Sequence, residues 1–261
     1  MIDIHCHLTS ARFKHDRDAV IQQASRRLEA VITSAIHPNE AEKVLKLCEK
    51  YPSFVHATLG LHPVYAAELT DEELEAYLNL IRRNRSKIAG IGETGLDYHW
   101  ISDSIRIGKM KKVFIDFLQL ARELNLPVVL HLRNALDEGL DMVMKNKMRE
   151  VVFHCFNGTT RQAEEITRNN YYVSIATNIL RSENIQNVVS RVPLQRIVTE
   201  TDSPYLGPRR KRNAPQNVSL VVDKLAELQG LSPTEVDEIT SQNARRFFNI
   251  GSQNSFKTSA P

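Results

Sequence analysis

Cysteine is scarce in this chain of 261 residues: Cys6, Cys48 and Cys155 are far apart, odd in number and form no CxxC pair. That pattern argues against a disulfide framework or a thiolate zinc site and reads as reduced thiols of a cytoplasmic protein. Long apolar runs are missing as well. Nothing approaches the ~18 residues needed to span a bilayer, and no basic leader precedes the first structured segment, so neither a membrane span nor an export signal is expected. Internal repeats, low-complexity blocks and linkers are absent, which speaks against a solenoid or a string of modules. Nor does one sign of charge dominate: 34 Lys and Arg face 31 Asp and Glu, a net +3, with a pI near 8.7. Such a balance is compatible with a polyanionic substrate but not with a nucleic-acid packaging protein, so local charge placement has to decide.

What is present is a recurring alternation of short apolar runs and amphipathic stretches. Strands are expected at Ile2–Leu8, Ala30–Ile36, Phe54–Gly60, Ile88–Leu96, Pro127–Leu132, Glu150–Phe156, Tyr171–Thr177 and Arg196–Thr201. Between them lie helical candidates such as Asp16–Ala30, Glu40–Lys50, Asp71–Asn84 and Ile105–Leu124. Eight βα units close most economically into an α/β (β/α)8 TIM barrel, with an open doubly wound sheet as the competitor. Thr70 with Glu73, and Ser232-Pro233 with Glu235, form capping-box patterns. The second starts an extra C-terminal helix from Pro233 to Phe248. Residues 1–250 are thus expected to form a single domain, and 251–261, with little to bury, a disordered tail.

The chemistry-bearing residues sit where strands give way to loops. In Asp3-Ile4-His5-Cys6-His7, residues two apart share a strand face, so His5 and His7 can both look into the barrel. Alone, such a pair is weak and can equally be two ordinary polar strand residues. Glu93, His131, His154 and Asp202 recur at the ends of later strands, and in a barrel those ends converge on one mouth. Six metal-competent side chains at one mouth point to a metal site. Cys6 and Cys155 should turn toward the helices, while Asp3 and Glu200 should alternate onto the ligand side, either as orienting partners of the ligands or as polar filling. His62 and Arg133 sit at strand ends where they can contact phosphate, His62 also a base, or serve structural roles. Arg209-Arg210-Lys211-Arg212 follows Asp202 on the same face and is a candidate phosphate clamp. His99 and Trp100 follow Glu93; the lone Trp is expected to cover the core edge rather than stack on a base. His15, His37 and His56 carry no functional signal.

Taken in order, Asp3-Ile4-His5-Cys6-His7-Leu8, Gly60-Leu61-His62-Pro63, Gly92-Glu93-Thr94-Gly95-Leu96-Asp97, His131-Leu132-Arg133, His154-Cys155-Phe156-Asn157-Gly158 and Glu200-Thr201-Asp202-Ser203-Pro204-Tyr205 resemble the TatD deoxyribonuclease family over nearly the whole chain. Arg212-Asn213-Ala214-Pro215 and the Asn243-to-Phe247 segment extend the likeness. Leu132 and Asn134 depart from the Ser and Asp common in relatives, and Asn157 replaces a frequent Ser; none of these is a proposed ligand. The resemblance implies two divalent ions (Zn, Mn, Mg, Co or Ni), one held by His5, His7 and Asp202, the other by His131 and His154, with Glu93 bridging. Glu93 and Asp202 would be the catalytic carboxylates, Asp202 receiving a proton from water. It further implies a phosphodiester hydrolase acting on DNA, a 3′-to-5′ exonuclease and abasic-site endonuclease of DNA repair. RNA remains open as substrate, as does an ester such as D-aminoacyl-tRNA on the same metals, and a non-catalytic nucleic-acid-binding barrel is the reading from another class. Several amidohydrolases carry a carbamylated Lys on strand four; Glu93 at that place weighs against them.

Overall fold

In the computed structural model, which describes residues 1–251, eight parallel strands lie in the order β1 to β8. They are β1 (Ile2–Cys6), β2 (Ala30–Ala35), β3 (Val55–Leu59), β4 (Gly90–Asp97), β5 (Val128–Arg133), β6 (Val151–Phe153), β7 (Tyr172–Ile175) and β8 (Ile197–Thr199). The alternating helices are α1 (Arg17–Ser25), α2 (Pro38–Lys50), α3 (Asp71–Arg83), α4 (Ser104–Leu124), α5 (Leu136–Lys145), α6 (Thr160–Arg168), α7 (Glu183–Val189) and α8 (Val218–Gln229), followed by α9 (Pro233–Phe248). Just past β1 and β8 the sheet nearly closes: Cys6 and Ser203 form a parallel bridge, His7 N donates to Ser203 O at 2.7 Å and Asp202 N to His5 O at 3.0 Å. This is the expected TIM barrel. No helix among the described residues is long and apolar enough to cross a membrane.

Local sequence accounts for the helix boundaries. Thr70 accepts from Glu73 N while Glu73 accepts from Thr70 N, satisfying two donors that α3 would otherwise leave open, and Leu74, Tyr77, Leu78 and Ile81 then form its buried face. Ser232 and Glu235 do the same for α9, with Pro233 in its first turn. A third box, Thr159 with Gln162, opens α6 and was not anticipated from sequence. Helix α1 is shorter than expected, because Arg26 to Glu29 must carry the chain round to Ala30, the first residue of β2.

Several strands are also shorter than their apolar runs. β1 ends at Cys6 rather than Leu8, β6 at Phe153 rather than Phe156, β7 at Ile175 rather than Thr177, and β8 at Thr199 rather than Thr201. Beyond those points the backbone leaves extended geometry, with φ of +45° at Cys155 and +54° at Asp202. His7, His154 and Asp202 are therefore loop residues at the mouth. β4 instead runs one residue longer, to Asp97. At the other end of the barrel, Ile32, Val129, Val152 and Val198 join Phe247 and Phe248 of α9 in one buried cluster. Because that cluster links strands from around the barrel to a single helix, α9 forms its floor. The expected tail, apart from Gly251, lies outside the described residues.

Candidate metal centre

The six residues expected as ligands converge at the mouth. Glu93 is central: its Oε2 lies 3.3 Å from His5 Nε2 and 3.8 Å from His7 Nε2, and its Oε1 lies 2.5 Å from His131 Nδ1 and 3.5 Å from His154 Nε2. Asp202 Oδ1 stands 3.3 Å from His7 Nε2 and 4.0 Å from His5 Nε2. The Nε2 atoms of His5 and His7 are 3.2 Å apart. Four groups of at least three donors lie within 4.8 Å of one another, among them His5, His7 and Glu93, and Glu93, His131 and His154.

Glycine makes the approach of β4 possible. Gly92 and Gly95 have φ of +140° and +149°, and a Cβ on either would press into the backbone of Val129 or His131 on β5. Without side chains at these two places, β4 can lie close against β5 and bring Glu93 beside His131.

The imidazoles are oriented from behind. Ser34 Oγ lies 3.2 Å from His5 Nδ1, and Glu200 holds His154 Nδ1 at 3.0 Å while accepting from Cys155 N at 2.8 Å. Asp97 Oδ2 is 3.0 Å from His131 Nε2, and its Oδ1 accepts from the N–H groups of His99 and Trp100. Carboxylates that fix the far side of a ring set its tautomer and direction. For Glu200 this was one of the two expected alternatives, the other being polar filling of the barrel. Asp97 and Ser34 were not singled out from sequence, although Asp97 sits on the same face of β4 as Glu93, four residues on.

Asp3 does something else. It accepts from Thr201 N at 2.9 Å and Thr201 Oγ1 at 2.6 Å, tying β1 to the segment after β8, and from the backbone N–H of His5 at 3.3 Å. Burial raises the Asp3 carboxyl well above its ordinary range, against the lowering effect of Thr201.

The buried charges compensate one another. Desolvation would raise Glu93, but the imidazoles of His154 and His62 and hydrogen bonds from His131 and His5 hold it well below the usual carboxylate range. Asp202 is likewise lowered, burial being outweighed chiefly by His7. Burial would lower His154, yet Glu200 and Glu93 raise it to about 10. His5 is lowered by burial and by His154. His62 is pushed by burial down to about 4, and its Nδ1 accepts from Val64 N at 3.3 Å. A neutral ring accepting at Nδ1 carries its proton on Nε2, which faces Glu93 Oε1 at 3.7 Å.

Two expectations around the mouth need correction. Trp100 does not cover the core edge: it is 65% exposed, with the Arg133 guanidinium 5.7 Å from its ring centre. Its own backbone N–H and that of His99 donate to Asp97, which turns the loop and leaves the indole in solvent. Arg212 is not a free member of a clamp, because it donates to Asp16 Oδ1 at 2.9 Å and to Arg12 O at 2.7 Å. Arg209, Arg210 and Lys211 remain exposed. Tyr205, missed from sequence, is 45% exposed beside His7, with the Arg12 guanidinium 5.5 Å from its ring centre. Cys6 is buried as expected, whereas Cys155, half-buried, lies past the end of β6.

Comparison with known proteins identifies the family. The family described as TatD related DNase matches residues 2–249. The human protein named deoxyribonuclease TATDN3 is 35% identical over 95% of this chain and 94% of its own length. The 3'-5' ssDNA/RNA exonuclease TatD of Erwinia tasmaniensis is 31% identical over 96% of this chain and its full length. The crystal structure of the TatD homologue YjjV from Escherichia coli K12 superposes with a TM-score of 0.89 at 28% identity, covering 96% of this chain and 98% of that one. With its strand order, its convergent His, Asp and Glu donors and this coverage, the chain belongs to the TatD-related DNase family.

Proposed function

We propose that this protein is a divalent-metal-dependent phosphodiesterase that shortens single-stranded nucleic acid from its 3′ end. One observation carries the proposal: a single buried carboxylate, Glu93, faces two clusters of imidazoles with its two oxygens. In this reading His5, His7 and Asp202 would hold one ion and His131 and His154 the other, with Glu93 available to both.

The spacing of the donors fits such ions. Ligands about 2.0–2.1 Å from a tetrahedral zinc are about 3.3 Å from one another. His5 Nε2 and His7 Nε2 lie 3.2 Å apart, and each stands 3.3 to 4.0 Å from Glu93 Oε2 and from Asp202 Oδ1. Imidazole-rich sites favour Zn, Mn, Co or Ni over Mg. When bound, two such ions acidify water and stabilise negative charge on phosphate oxygens.

The remaining roles fall to the chain itself. Asp202, kept ionised by its neighbours, accepts the proton of the attacking water on a carboxylate oxygen. The His62 Nε2–H is a neutral donor for a phosphate oxygen, and Arg133 supplies a forked cation. Trp100 and Tyr205 are exposed rings, each attended by an arginine, on either side of the donors. Base stacking on such rings requires unpaired bases, which favours a single strand. The exonuclease name of the Erwinia relative supports the same substrate.

The test is to incubate metal-loaded protein with end-labelled single-stranded DNA, double-stranded DNA, RNA, an abasic duplex and D-aminoacyl-tRNA, with chelator and Glu93→Ala controls. Progressive loss of 3′ nucleotides from the single strand, abolished by both controls, is expected. Exclusive nicking of the abasic duplex or release of the D-amino acid would replace this reading with another hydrolysis on the same site. Absence of any chelator-sensitive cleavage would leave a binding-only barrel.

A further inference from the structure

The centre lies at the C-terminal ends of the strands, but a cleft of 1080 Å³ opens at the opposite end. Its walls are the residues that lead into β4, β5 and β6 together with the end of α9. Six cations line it, Arg85, Lys87, Arg122, Lys147, Arg149 and Arg246, against a single carboxylate, Glu150. For a chain whose net charge is only +3, that is a strong local concentration.

These cations are largely uncommitted. Lys87 pairs with Glu49 at 2.9 Å, and Arg85 donates to Leu124 O, a neutral acceptor. Among the described residues, Arg122, Lys147, Arg149 and Arg246 have no carboxylate oxygen within 4.0 Å, although Glu150 feels the field of Arg246. Elsewhere on the surface some cations are matched, as in Arg82 with Glu123 and Glu75, or Lys112 with Asp71; what marks the cleft is that six cations meet there against one carboxylate. The cleft also contains an unmet acceptor or donor: His56 Nε2 is buried and has no hydrogen-bond partner. Unpaired like charges repel one another and are relieved by an anion.

The charges do not converge on one point. They come from the turn before β4, the end of α4, the turn before β6 and the end of α9, and so span three strands spaced about 4.8 Å apart. A row of that kind matches a chain of phosphates better than one compact anion. We propose that this basic cleft is a second binding site for the phosphate backbone of single-stranded nucleic acid, on the face remote from the metal centre. It rests on the reading of the substrate as nucleic acid. Its consequence is a foothold for strand outside the mouth, which raises affinity for long strands without touching the reacting bond.

The test separates binding from cleavage. Anisotropy of a fluorescein-labelled 30-nucleotide poly(dT) is titrated in chelator, so nothing is cut, for the unmodified protein and for Arg122→Gln/Arg149→Gln. Two lost phosphate contacts should weaken binding about tenfold and flatten the plot of log K against log salt by about 1.4, at about 0.7 per contact. Hydrolysis of a dinucleotide by the metal-loaded variant should be unchanged. Arg26→Gln/Arg27→Gln, which removes two exposed cations elsewhere, is the charge control and should change the slope by much less. An unchanged slope in the cleft variant, or an equal loss in the control, overturns the proposal. If the protein cleaves no strand yet the cleft variant alone loses poly(dT), the metal-site reading fails and the second binding site stands.

Discussion

At the floor of the barrel, Ile32, Val129, Val152 and Val198 pack with Phe247 and Phe248; at the mouth, His5, Glu93, His154 and Glu200 are buried to a similar degree although each can carry charge. Burial of an apolar side chain at the floor contributes roughly 1.5–3 kcal/mol. Desolvating an ion costs several kcal/mol before its partners offset it. The floor therefore holds the barrel together, and the mouth is an arrangement that the rest of the fold must tolerate. Removing a residue from one end should damage a different property from removing one at the other.

The largest effect is expected from Glu93→Ala. Loss of the group that faces both imidazole clusters removes several kcal/mol of transition-state stabilisation, a fall in turnover of about 10³-fold or more. The same variant should lose the metal-dependent rise in thermal stability, which for the unmodified protein is about 2.7 kcal/mol at one hundred times the dissociation constant. Cleavage assays and melting with and without Zn or Mn measure the two. A variant that still melts higher with metal would take Glu93 out of the ligand set.

Phe247→Ala is the matching change at the floor. It should cost about 3–5 kcal/mol in urea unfolding, while turnover per folded molecule at low temperature stays within about twofold of the unmodified protein, a small barrier change. Equal damage to turnover would mean that the mouth depends on the floor for its geometry and would weaken the contrast.

Most of the mouth could be read from sequence because the rules involved are local. Alternation by two and the position of strand ends lead directly to His5, His131 and Glu200, and parallel strands then carry those ends to one place. Asp97 was missed because β4 was expected to stop at Leu96, one residue short of the carboxylate that holds His131. The pairing of Arg212 with Asp16 spans 196 positions, and the exposure of Trp100 depends on how its loop folds over Asp97. Neither follows from any local pattern. The basic cleft is invisible in sequence for the same reason, since Arg85, Arg122, Arg149 and Arg246 are brought together only by closure of the barrel.

Asp97→Asn sharpens the picture within the mouth. The amide oxygen can still accept from His99 and Trp100, but the carboxylate on His131 is gone. Second-partner changes of this kind lower metal affinity about 10–100-fold, which competition against a coloured chelator would read directly. No change would show that His131 is oriented by Glu93 alone. Trp100→Ala should act on substrate instead: loss of one stacking platform weakens single-stranded DNA by roughly 1–3 kcal/mol. It should appear in KM with kcat nearly constant, and an effect on kcat alone would place the ring at the reacting bond.

The smallest effect is expected at the edge of the mouth, where Arg212 is tied down. The Asp16 carboxyl is held below its usual range chiefly by the hydrogen bond from Arg212. That contribution is present above the ordinary carboxylate range and fades as pH falls through the lowered value. Asp16→Asn removes the charge at every pH and releases the guanidinium toward its neighbours Arg209, Arg210 and Lys211. If all four cations then reach the strand, the salt dependence of single-stranded DNA binding should steepen by up to about 0.7, with a gain of a few-fold in affinity at low salt. The Phe13 ring, 5.0 Å below the same guanidinium, and the Arg12 carbonyl compete for it. An unchanged slope would show that these two neighbours suffice to keep Arg212 out of the clamp.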